Sequence, residues 1–157
     1  MTTGEPEKRF MKITTIVLGV CLVTLPVGFA FGQDNLKPFT SDGCSAFPEG
    51  TWKQKQLWLK CCTAHDFAYW QGGTYKQRLA ADEALKECVA DVGEPEIALL
   101  MLAGVRVGGS PFFPTEFRWG YGWPYLKPYG ELRDEEKAFV RQRILEGEAN
   151  LRQYLND

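Results

Sequence analysis

The sequence has a single histidine, no Cys-x-x-Cys repeat, no block of like charges, and no internal repeat or low-complexity tract. Each absence narrows what the protein does. With 18 basic residues against 20 acidic ones and a formal charge of −2, the chain has no field that would gather nucleic acid. One imidazole without paired Cys-x-x-Cys motifs argues against a zinc site. A chain of 157 residues, 45% of them hydrophobic, has enough material for one core and too little for two domains.

What is present begins with an export pattern. Glu7-Lys8-Arg9-Phe10-Met11-Lys12 precedes an uncharged, apolar run from Ile13 to Phe31, and Ala30-Phe31-Gly32 sets small residues ahead of Gln33. Residues 1–32 are therefore expected to be a signal peptide, or an uncleaved anchor through residues 13–31, with one domain at 33–157 placed outside the cell or in the periplasm. Cys21 follows Leu18-Gly19-Val20, which departs from a lipoprotein acylation box at Val20. Beyond the signal four cysteines remain, Cys44, Cys61, Cys62 and Cys88, and an even count in an exported chain implies disulfides, with three pairings open.

Periodicity predicts a mainly helical fold. Residues 33–50 are rich in Asp, Asn, Pro, Gly and Ser and read as an extended segment leading into a loop. Lys53 to Gln71 lacks Gly and Pro and repeats apolar residues at spacings of three and four, so a helix is expected there, ended by Gly72-Gly73. A second helix is expected from about Lys76 to Val92, with Leu79, Ala80, Ala84, Leu85, Cys88 and Val89 inward and Gly93 as its stop, forming an antiparallel pair with the first. Ile97 to Val107 is apolar yet too short to cross a membrane, and reads as a core helix or a lipid-facing wall. Residues 108–130, crowded with Gly, Pro and aromatics, read as irregular structure whose Phe112 to Trp123 cluster packs into the core. Glu131 to Leu155 reads as an amphipathic helix presenting Leu132, Ala138 or Phe139, Ile144 or Leu145, Leu151 and Leu155 to the body.

The chemistry concentrates on one helix segment, Cys61-Cys62-Thr63-Ala64-His65-Asp66-Phe67-Ala68-Tyr69. Adjacent helix positions point about 100° apart, so His65 and Asp66 serve different partners. A lone histidine is more often structural than catalytic. Here it sits on a helix that two consecutive cysteines would tie to other segments, and the Asp42-Gly43-Cys44 loop offers oxygen donors. A carboxylate plus loop oxygens suits calcium rather than a softer metal.

Cys61-Cys62-x-x-His65-Asp66-x-x-Tyr69 resembles the signature of secreted phospholipases A2, and Asp42-Gly43-Cys44-Ser45 is similar to the calcium loop of the short prokaryotic type. The likeness covers residues 41 to 90, about a third of the chain. It implies an antiparallel helix pair cross-linked by disulfides, with Cys61 joined to Cys88 and Cys44 to Cys62. It implies His65 as general base, Asp82, six residues before Cys88, as the carboxylate that orients it, and Tyr69 as a hydrogen-bond donor to that carboxylate. It further implies Ca2+ held by Asp66, Asp42 and the Gly43 carbonyl, and a phospholipid substrate at a membrane or micelle surface. The glycine-rich, two-cysteine loop of the animal enzymes is absent. Such a chain would hydrolyse a fatty-acyl ester of glycerophospholipids with an activated water; the alternative is a catalytically inactive module of the same scaffold that binds lipid or protein.

Overall fold

The computed structural model describes Met1 and residues 36–156, with side chains as far as Ala149. The expected signal or anchor segment, Cys21, and the side chains of Leu151 and Leu155 lie outside the described residues. Four helices follow one another, α1 Leu59–Gln71, α2 Tyr75–Asp91, α3 Pro95–Gly108 and α4 Asp134–Asn156, and no strand occurs among the described residues. None of these helices is long and apolar enough to cross a membrane.

α1 begins six residues later than its periodicity suggested. The amide of Trp58 donates to the Glu49 carbonyl at 3.1 Å and its indole N–H to the Pro48 carbonyl at 2.6 Å, so residues 53–58 fold as turns against the preceding loop instead of winding into the helix. The helix ends at Gly72-Gly73, both with positive φ (70° and 133°), a conformation that costs glycine little. Thr74 then starts α2 through a capping box: its hydroxyl accepts from the Gln77 amide and its own amide donates to the Gln77 side chain. Cross-helix partners run in opposite order, Cys61 with Cys88, His65 with Asp82 and Tyr69 with Arg78, so α1 and α2 are antiparallel. Gly93 (φ 98°) ends α2, and Pro95 opens α3 at a position where its missing N–H costs nothing.

The disulfides join Cys44 to Cys62 and Cys61 to Cys88, bolting the loop and α2 to two consecutive residues of one helix. Around them Trp58, Leu85, Val89, Ala98 and Met101 form one core cluster; Leu36, Trp70, Trp123 and Val140 form a second, under α4. The inner stripe of α2 differs from the expected one. Ala80 and Ala84 face solvent, whereas Arg78 and Asp82 share the buried face with Leu85 and Val89, because the two charged side chains find partners there. On α4, Ala138, Phe139 and Leu145 are exposed and the stripe is Glu136, Val140 and Ile144, with Leu132 just ahead of the helix packed against the same cluster. Glu136 is buried among Lys127 and Arg133, and although burial pushes its carboxyl up, hydrogen bonds from both cations outweigh this and hold it at about 2.

The segment between α3 and α4 is irregular but pinned. The indole of Trp119 donates to the Gly73 carbonyl at 2.9 Å and that of Trp123 to the Gln71 carbonyl at 2.7 Å, while buried Arg118 donates to the carbonyls of Gly120 and Trp123. The aromatic cluster is split: Trp119 and Trp123 are core, whereas Phe112, Phe113 and Phe117 are about half exposed.

Candidate active site

α1 aims His65 at Asp82 on α2. His65 Nε2 is 3.0 Å from Asp82 Oδ1, and the Tyr69 hydroxyl donates to the same oxygen at 2.6 Å. His65 and Tyr69, four residues apart on one face, stack with ring centroids at 4.1 Å. Asp82 is fully buried and His65 is 9% exposed. An ionised carboxylate only accepts, so Nε2 carries the imidazole proton and Nδ1 is left as the basic nitrogen. Burial, then the neighbouring Asp82, pushes the Tyr69 phenol well above its ordinary range, so it stays a donor.

Gly109 is needed where it stands. A Cβ there would overlap the Tyr69 ring, and the Gly109 carbonyl accepts from the Trp119 amide at 3.0 Å, so the chain passes directly over the tyrosine.

Two residues unmarked in the sequence reading complete the surroundings of Asp82. Arg106 Nε lies 3.1 Å and Arg78 Nε 3.8 Å from Asp82 Oδ2. Arg78 also donates to the Tyr69 hydroxyl, to that of Tyr129, and to the carbonyls of Val105 and Arg106. Arg78 sits four residues before Asp82 on α2 and Arg106 is brought in by the packing of α3; neither carries a mark in the sequence that sets it apart from other helix arginines.

Asp66, on the adjoining face of α1, accepts a 2.6 Å hydrogen bond from Ser41, whose oxygen in turn accepts from the Gly43 amide. Asp42 accepts from Ser45 at 3.0 Å. Burial raises the Asp66 carboxyl to about 6; the Ser41 bond and His65 pull it down, and Asp42 adds to the rise. Tyr121 is likewise pushed up, by burial and then by Asp66 and Asp42. Asp66 and Asp42, close enough that Asp42 opposes ionisation of Asp66, with the Ser41 and Ser45 hydroxyls beside them, make an oxygen donor set that fits a hard cation. Among the described residues no group of three or more His, Cys, Asp or Glu side chains is placed to hold a metal, so further donors would be loop oxygens.

His65 and Asp66 open onto an apolar cavity of about 400 Å³ walled by Phe47, Leu85, Leu100, Met101, Val105 and Phe117. A second cavity of about 580 Å³, with Lys37, Asp42, Glu116, Arg118 and Tyr121 in its wall, shares Asp66 and Phe117 with the first.

No family model, curated protein or solved structure matches the chain. The functional reading therefore rests on the site itself.

Proposed function

We propose that the protein is a calcium-dependent hydrolase of fatty-acyl esters of glycerophospholipids, with the fold of the phospholipase A2 superfamily. The observation that carries the reading is His65, held from behind by buried Asp82, in the wall of an apolar cavity, next to the oxygen donors of Asp66 and Asp42 and to a chamber with charged walls. An amphipathic ester suits such a place. Its acyl chain fills the apolar cavity, its polar part lies in the second, and its carbonyl falls between them.

The chain's own residues do the acid–base work. Asp82 holds the imidazole proton on Nε2, so Nδ1 accepts a proton from a water as the water oxygen attacks the ester carbonyl. The imidazolium then returns that proton to the leaving alkoxide, releasing fatty acid and the deacylated lipid. No serine or cysteine nucleophile takes part. Asp66, Asp42 and the Gly43 carbonyl would hold the calcium ion. When bound, it supplies Lewis-acid polarisation of the carbonyl and neutralises the oxyanion.

Both candidate carboxylates already accept hydroxyl hydrogen bonds, which favours a second reading, a lipid-binding module without turnover. Variants separate the two. His65→Gln is expected to lower hydrolysis by roughly 100-fold or more while leaving the protein folded, as read by circular dichroism. Asp66→Lys is expected to abolish both calcium binding, measured by calorimetry, and hydrolysis. Full turnover in either variant sinks the mechanism.

A further inference from the structure

Asp82 needs more than its two donors. Its Oδ1 takes His65 and Tyr69, while Oδ2 is buried and faces Arg106 Nε at 3.1 Å, off the angle of a hydrogen bond, and neither atom has another hydrogen-bond partner. Arg106 Nη2 reaches back to the Leu79 carbonyl on α2 at 3.1 Å, and Arg78 Nη2 reaches from α2 to the Val105 and Arg106 carbonyls at 2.8 Å. Each helix thus lends a guanidinium to the other's backbone. Arg78 satisfies carbonyls of the last turn of α3, where a cation also meets the negative end of the helix dipole. α3 is at the same time a wall of the apolar cavity, through Leu100, Met101, Gly104, Val105 and Gly108.

We propose that Arg106, with Arg78 behind it, is a positioning residue for the His65–Asp82 pair, clamping α2 to the cavity wall so that the carboxylate keeps one orientation. This rests on the reading of the site as a hydrolase, but its geometry does not. A buried carboxylate with one oxygen unpaired would turn to satisfy it, and the Arg106 guanidinium, set against Oδ2 by its own fork to the Leu79 carbonyl, keeps Oδ1 on the imidazole. Arg106 is the accessible half of the clamp, its side chain 34% exposed, so it can be exchanged with less damage than Arg78, at 5%.

The chain has one histidine, so the imidazole N–H proton in the NMR spectrum of the full, oxidised chain belongs to His65 alone. The wild type is expected to show a downfield, slowly exchanging Nε2–H signal. Arg106→Gln, with unchanged circular dichroism, is expected to lose it and to lower kcat for phospholipid at least about tenfold with KM little changed. Arg106→Lys, which keeps the charge but not the fork, is expected to lie between. Glu83→Gln, which removes the long 3.9 Å ion pair to Arg106 and the surface pair with Lys86 but leaves Arg106 facing Asp82, should leave signal and kcat as they are. Retention of both in Arg106→Gln overturns the proposal. If that variant does not fold, Arg106→Lys decides: partial loss of the signal supports the clamp and full retention overturns it. A wild type that shows the signal but cleaves no ester defeats the hydrolase reading and leaves the clamp standing.

Discussion

Asp82 is the residue on which most of the site depends. It accepts from His65 and Tyr69, faces two guanidinium groups, and has no exposed surface. Deleting one member of a buried ionic network leaves the others uncompensated, so Asp82→Ala is expected to lower stability by about 3–5 kcal/mol, read from chemical denaturation of the oxidised protein. A loss below about 1 kcal/mol would show that Arg78 and Arg106 do not depend on this carboxylate. At this scale much was legible. His65 and Asp82, 17 residues apart, and Tyr69 could be singled out from spacing and from a family likeness, and the structure brings the three together. Ser41, Arg78 and Arg106 were not, since a serine in a loop and arginines on helices carry no mark until their neighbours are known.

The elements follow from simple signals where those signals are local. Gly72-Gly73, the Thr74 capping box, Gly93 and Pro95 fix where α1 stops, where α2 begins and ends, and where α3 starts. They fail where tertiary hydrogen bonds compete: Trp58 anchors to the Pro48–Glu49 turn and delays α1, and Glu136 displaces Ala138 and Phe139 from the inner face of α4 because Lys127 and Arg133 await it. That last substitution of charge for grease has a pH signature. The Glu136 carboxyl is held at about 2 in the folded protein, against an ordinary 4.5, so its stabilising effect is present above the unfolded value and is lost as pH falls from about 4.5 through 2. Glu136→Gln should flatten the acid side of the stability curve over that window, measured by urea unfolding at a series of pH values. A curve as steep as that of the wild type would mean that the carboxyl is not held down by its partners.

At the level of the molecule, the two disulfides converge on adjacent residues of α1 and tie it to the loop bearing Asp42 and Gly43 and to the helix bearing Asp82. One short helix thereby registers His65, Asp82 and the oxygens of the loop against one another. The mainly helical class was readable from periodicity because α1, α2 and α3 are joined by short turns with strong stop signals. The paired cavities were not readable, since they arise from α3 and the irregular segment after it meeting the loop, contacts between residues far apart in the chain. The most direct test of the central claim is fatty-acid release from mixed phospholipid micelles by the oxidised protein, first with calcium and then with a chelator. The account predicts release that requires calcium; no release in either condition, from protein shown to be folded with both disulfides formed, would contradict it.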